Sequence, residues 1–290
     1  MVQSNSISAA FKSAFGVPTW IVGIIVAILA GFIFLGGIGR IASVTEKLVP
    51  IMAAFYILGG LILIIINIKN LPTAFYQIFV GAFNPGAAIS GFAGATVAAA
   101  IQYGVARGLF SNEAGMGSTP HAHAVAKVDH PCDQGLVAIC SVFIDTLIVL
   151  NLTAFSILCT RSLEELNQPL TAAELTQHAF ESTYGHFGAI FIAICMFFFA
   201  FSTIIGWYFF GEKNVRYLFK HHPAVAAKVY AAIVVVFIVV GSMLKVDLVW
   251  NLSDLFNSLM VIPNVLGLWA LSNVAKDLYD DWKKQPAKVK

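Results

Sequence analysis

Asp145 stands inside VFIDTLIVLNLTAF, an apolar run long enough to belong to a membrane crossing. A carboxylate at the centre of a bilayer costs about 2.5–3.5 kcal/mol on insertion scales, so it must face protein or water rather than lipid. Such a group serves as an ion or proton site, or it ties two helices together by a hydrogen bond to a Ser, a Thr or a backbone carbonyl. Residue type alone weighs the two evenly. Asp254, in NLSDLFNSL, has the same chemistry with a weaker claim, because that whole stretch is polar along one face.

The second cluster is LFSNEAGMGSTP, residues 109–120. Two glycines, a proline and the trio Ser111, Asn112 and Glu113 disfavour a continuous helix here. Unwound backbone at membrane depth is tolerated only where it is buried or lines a cavity. Its free N–H and C=O groups can then hold an ammonium, a carboxylate or a dehydrated cation. A plain interhelical turn is the competing reading. A third patch, Ser202, Thr203 and Trp207, lies in FAFSTIIGWYFFGE. The two hydroxyls can coordinate Na+, and Trp207, four residues beyond Thr203, shares its helix face and can wall an apolar pocket. Back-bonding of Ser and Thr to the carbonyl four residues earlier, with Trp207 as packing, is the alternative.

Other patterns carry less. His121, His123, His130 and Cys132 lack any standard zinc spacing, and no second group of ligands follows them. No transition-metal site is therefore expected. Cys132, Cys140, Cys159 and Cys195 form no disulfide framework. The sequons at Asn151 and Asn251 fall inside apolar spans. No phosphate-binding loop is present, which removes an ATP-driven pump from consideration, and no cofactor is implied.

The elements that must position these groups follow from composition. In 290 residues, 59% are hydrophobic and only 11% charged, where a soluble globule carries about 25% charged residues. The chain is expected to be an all-α, polytopic membrane protein. Lys and Arg exceed Asp and Glu by only two, leaving no basic excess for nucleic acid. Apolar stretches of crossing length are read near 18–38, 48–68, 87–110, 132–159, 185–210, 224–243 and 248–272, about seven full spans. The 87–110 stretch is nearly all small residues, among them Gly91, Gly94, Gly104 and Gly108, and belongs at a helix–helix contact. Let the loops at 40–47, 111–131 and 211–223 and the tail share one face. Thirteen of the 17 basic residues then lie there, and four (Lys12, Lys69, Arg161, Lys245) on the other. That asymmetry marks the first face as cytoplasmic. The 163–182 loop, with Glu164, Glu165, Glu174 and Glu181, is then external, and TAAELTQHAFESTY is expected to form a short amphipathic helix there. The same arithmetic puts residues 1–16 outside with nothing before them to carry them across. MVQSNSISAAFKSAF reads as the outer half of a helix, and the chain as N-terminally truncated.

The segment GVARGLFSNEAGMGSTPHAHAVAKVDHP (104–131) resembles the alanine or glycine:cation symporter family of prokaryotes. The likeness continues through FIDTLIVLNLTA, FAFSTIIGWYFFGEKN and the opening VQSNSIS. It implies part of a LeuT-like inverted-repeat fold: a transporter domain over 1–273, the second five-helix repeat over 87–272, and a cytoplasmic tail over 274–290. It also implies sodium-coupled symport (H+ in some members) of alanine, glycine or a related small amino acid across the cytoplasmic membrane, not an enzyme. By the resemblance, Gln3 and Asn5 line the substrate site, together with Ser111, Asn112 and Glu113 from the broken helix. Thr203 and Trp207 contact substrate, Ser202 and Thr203 supply sodium oxygens, and Asp145 matches an aspartate without an assigned role. Two alternatives stand beside this. One is a non-transporting fragment that needs its missing N-terminal helices. The other is an intramembrane enzyme, for which no nucleophile and base can be paired.

Overall fold

The computed structural model describes residues 1–83, 97–160 and 172–285. Among them the regular structure is helical, with no strand. Among the described residues five helices are long and apolar enough to cross a membrane, and the protein is a multi-pass membrane protein. Two compact units can be distinguished, each described by itself. One comprises residues 1–100 and 151–251, the other residues 101–150 and 252–290.

The first unit is built on α1 (Val2–Phe15), α2 (Thr19–Phe34), α3 (Gly37–Ile66), α4 (Leu71–Phe83) and, further along, α7 (Asn151–Cys159), α8 (Ala172–Tyr184), α9 (His186–Leu218) and α10 (Pro223–Met243). At 33 residues, α9 is the axis of this unit, and more than half of its most apolar stretch is buried. Its buried face (Ala200, Phe201, Ile204, Ile205, Tyr208 and Phe209) meets Ile7 of α1, Val22, Val26 and Ala30 of α2, and Ile238 of α10. The spacing is that of an apolar stripe turning with the helix. Small residues set the closest approaches. Ala10 and Ala14 of α1 lie against Ala189 and Ala193 of α9, alanines four apart on both sides. A Cβ on Gly23 of α2 would collide with the Ser242 hydroxyl of α10, so the two backbones are drawn together as in small-residue membrane contacts.

The second unit contains most of α5 (Val97–Ser111), then α6 (Pro131–Phe143), a π-helical turn (Ile144–Leu150), most of α11 (Val246–Ala270), and α12 (Ser272–Lys284). The α12 helix packs against the start of α6, where the Trp282 indole N–H donates to Asp133 at 3.0 Å.

Several expected boundaries move. The loop expected at 40–47 is helical, because α3 begins at Gly37 and runs through Pro50. Proline forfeits one hydrogen bond without ending the helix. At about 45 Å, α3 outreaches a hydrocarbon core of about 30 Å, so a charged first third can continue beyond it. For the same reason α9 reaches Leu218 through the loop expected from 211. The first expected span is shorter than 18–38: α2 has 16 residues and stops before Gly37, whose φ of +66° suits glycine. Here Arg40 folds back and donates to the Phe32 carbonyl at 2.6 Å. The helix α4 was not expected, and the polar tail is not extended: its first part is the amphipathic α12. The amphipathic helix expected within 171–184 is present as α8. The expectations for Gly91, Gly94, Arg161, Glu164 and Glu165 lie outside the described residues, as does the first part of the 87–110 span.

Candidate functional site

In the second unit, α5 ends where its sequence stops favouring helix. Glu113 has a φ of +50°, and Gly115 and Gly117 follow at +74° and +78°. Three left-handed residues in five free the backbone from the helical ladder, and two of them are glycines. Glu113 stays in that strained conformation with its carboxylate engaged: Oε2 accepts from the hydroxyls of Ser118 at 2.6 Å and Thr119 at 2.7 Å. The unwound stretch is also pinned from α11, where the Asn264 amide donates to the Gly115 carbonyl at 2.9 Å. A Cβ on Gly117 would meet the Asn264 side chain at 2.7 Å, so glycine is required there sterically as well as conformationally.

Asp145 and Thr146 occupy the π-helical turn that interrupts the helix running from Pro131 to Cys159. The extra residue of a π-turn re-aims side chains, and such turns occur often at functional sites. Both residues here are aimed at the end of α5. The Ser111 hydroxyl donates to Asp145 Oδ2 at 2.5 Å, and the Thr146 hydroxyl donates to Asn112 Oδ1 at 3.0 Å. The break and the π-turn therefore share two hydrogen bonds, and four of the candidate oxygens come from two adjacent pairs of residues.

Asp254 is an ion-pair partner. Arg107 of α5 grips it with two bonds, Nη1 to Oδ1 at 3.0 Å and Nη2 to Oδ2 at 2.8 Å. Such forked geometry suits guanidinium and carboxylate. Arg107 was missed in the sequence, where it counted only as a cytoplasmic positive charge. The signal was available, since an Arg and an Asp each set in apolar helices need a partner at that depth. A cavity of about 530 Å³ lies beside this pair, walled by Ile101, Val105, Leu109 and Phe110, with Asp254 and Ser258 as polar lining. Thr146, Ser118 and Thr119 were likewise missed. Single hydroxyls carry no sequence signal until the fold sets them opposite a carboxylate.

In the first unit, Ser202 and Thr203 are half-buried on α9. Both hydroxyls donate to the Phe199 carbonyl at 2.9 Å. That bond fixes each proton toward the helix and leaves the oxygen lone pairs directed away from it, so back-bonding and cation ligation are compatible. Trp207 is half-buried, with Phe210 edge-on at 5.9 Å. Asn5 is buried, and its amide donates to the carbonyls of Gly241 and Leu244 at 2.9 and 2.8 Å, closing the C-terminal end of α10. Gln3 lies on the same helix but about 200° around its axis, so the two residues face different neighbours.

The histidine and cysteine group disperses onto separate partners. His130 Nδ1 accepts from the Cys132 amide at 3.1 Å, His123 Nδ1 pairs with Gln134 at 2.7 Å, and His121 Nδ1 lies 3.0 Å from the Ser118 carbonyl. Among the described residues no three His, Cys, Asp or Glu side chains gather to hold a metal ion.

Comparison with known proteins agrees on one family. The model described as the sodium:alanine symporter family matches residues 1–290. The sodium/alanine symporter AgcS of Methanococcus maripaludis is 41% identical over 94% of this chain and 59% of its own length. The amino-acid carrier protein AlsT of Bacillus subtilis is 38% identical over 98% of this chain and 59% of its own length. The probable sodium/glutamine symporter GlnT of Bacillus subtilis is 40% identical over 98% of this chain and 58% of its own length. The chain thus spans less than two thirds of the length of these relatives.

Proposed function

Since the chain belongs to the sodium:alanine symporter family, we propose that the gene product carries alanine, glycine or a related small amino acid across the cell membrane together with Na+. The observation that carries this reading is the break after α5, where Glu113, Gly115 and Gly117 hold backbone out of helical geometry beside a membrane span. Unwound carbonyls attract an ammonium or a cation, and freed amides attract a carboxylate. In the same reading Ser111, Asn112 and Glu113 belong to the substrate site, as do Gln3 and Asn5 of α1. On α9, Ser202 and Thr203 supply oxygens to Na+, and Trp207 walls the amino-acid side chain. The sodium gradient is the driving force: each charge moved through 100 mV contributes about 2.3 kcal/mol. The corresponding fold is seven spans forming part of a LeuT-like inverted repeat, with the second repeat over 87–272, the 163–182 loop external and the tail from 274 cytoplasmic. Glutamine is a second reading for the cargo, favoured by the relative named for it.

The test is uptake into proteoliposomes holding the gene product. Labelled alanine, glycine and glutamine should each be offered with Na+ inside only, outside only, and on both sides. Accumulation only under an inward sodium gradient is expected, strongest for the native cargo. Uptake indifferent to sodium, or none for any of the three, overturns the reading.

A further inference from the structure

The α12 helix begins one residue after a membrane span. Only Leu271 separates it from Ala270, the last residue of α11, and the Leu271 amide still donates to the Gly267 carbonyl at 3.0 Å. Its far end is held as well. Trp282 donates to Asp133 in the first turn of α6, and the Cys132 thiol donates to the Leu278 carbonyl at 3.8 Å. Asp281 Oδ2 lies 3.6 Å from Nε2 of the buried His130, the residue that caps α6. That turn opens a second span, Pro131–Cys159. A helix tied at its start to the end of one span, and near its finish to the start of another, lies along the membrane surface rather than away from it. Its sequence suits that place. At about 100° per residue, Val274, Ala275, Leu278, Tyr279 and Trp282 share one arc of about 140°, and Val274, Leu278 and Tyr279 are exposed. The two edges of the arc differ in charge. Asp277 and Asp281 border it on the side where Asp281 meets His130. Lys276 and Lys283 border it on the other, with the Lys283 ammonium 4.3 Å from the centroid of the Tyr279 ring.

We propose that the apolar stripe of α12 lies in the headgroup region of the membrane that α11 crosses, and that Lys276 and Lys283 bind the phosphates of anionic phospholipids there. An apolar stripe held at the bilayer surface by both ends has the acyl boundary within reach, and burying it there is favourable. Lysine stems lie along such a boundary while their ammonium groups extend to the phosphates. A tyrosine ring suits the same depth. Anionic headgroups attract the basic edge and repel the acidic one, so α12 rolls with its lysines toward lipid and its aspartates toward the start of α6. Both contacts act on one helix. Anionic lipid therefore strengthens the hold of α12 on the residues through which the chain passes from the break into α6. The inference concerns lipid rather than cargo and stands whatever the gene product carries.

The test uses the gene product in nanodiscs of phosphatidylcholine alone, or of phosphatidylcholine and phosphatidylglycerol in equal parts. Both leaflets then share one composition, so the result does not depend on which face the tail occupies. A benzophenone side chain placed at position 274 should photocross-link to lipid, and one at position 280, on the opposite face of α12, should not. Amide exchange over 272–284 should be slower in the anionic nanodiscs, by about fivefold for each lysine engaged. Lys276→Gln combined with Lys283→Gln should abolish that difference and leave exchange in phosphatidylcholine unchanged. Val274→Asp should speed exchange over α12 in both lipids. The proposal falls if position 274 cross-links to protein, to a second copy of the chain or to nothing. It also falls if position 280 captures lipid equally well, or if exchange over α12 is the same in the two lipids.

Discussion

Thr203 and Trp207 share a face of α9, yet their chemistry predicts different phenotypes. Thr203→Val keeps the shape and deletes the oxygen, for which a dehydrated cation has no apolar substitute. Uptake by this variant should need more sodium, and high sodium should restore apparent substrate affinity, as linkage requires. Trp207→Ala removes an apolar wall, so saturating sodium should leave its substrate affinity weak. Uptake across a sodium series separates the two, and equal rescue would dissolve the division of roles. The Arg107–Asp254 pair makes a second residue-scale case. Arg107→Ala strands a carboxylate in an apolar helix, at a cost of about 2–3 kcal/mol. The double change with Asp254→Ala removes both charges and should be closer to the parent than either single change. A double-mutant cycle of unfolding in bicelles measures the coupling.

At the scale of elements, the π-turn and α8 each make a contact that regular geometry alone would not supply. Deleting Leu147 from the Ile144–Leu150 turn should restore α-helical register and rotate the helix halves by about 100° relative to one another. The bonds from Ser111 to Asp145 and from Thr146 to Asn112 cannot both survive that rotation. Cross-linking of cysteines placed at 111 and 145 should work in the parent register and fail in the deletion. For α8, the anchor is Gln177, fully buried, whose amide donates to the Ala10 carbonyl at 3.2 Å and the Ala189 carbonyl at 3.0 Å. Tyr184, at the end of α8, donates to the Gly59 carbonyl at 2.7 Å, and burial raises its phenol above its ordinary pKa. Gln177→Leu should loosen α8 by about 1–2 kcal/mol, read as faster amide exchange over 172–184 with α9 unchanged.

For the whole molecule the testable property is orientation. A cysteine at the exposed Glu181 should react with an impermeant thiol reagent in intact cells, and one at Lys283 of α12 only after lysis. The warrant is the unequal distribution of Lys and Arg between the two faces. The opposite labelling pattern would reverse the topology and with it the cytoplasmic assignment of the tail.

Hydropathy determined from sequence alone that the chain is helical and membrane-bound, because only an apolar surface can be so poor in charge. Composition also located the break after α5, since Gly115, Gly117 and Pro120 oppose helix by local sterics that need no tertiary context. Helix ends were read less well. Polar residues such as Arg40, Glu46 and Lys47 mark where a span leaves lipid and say nothing of where helical hydrogen bonding stops, so α3 and α9 run on through expected loops. Partnerships were decided only by the tertiary structure. Nothing in the order of residues joins Arg107 to Asp254, 147 positions apart, or aims Asp145 at Ser111. Those pairings depend on the rotation of each helix about its own axis, which packing and one π-turn set and hydropathy does not encode.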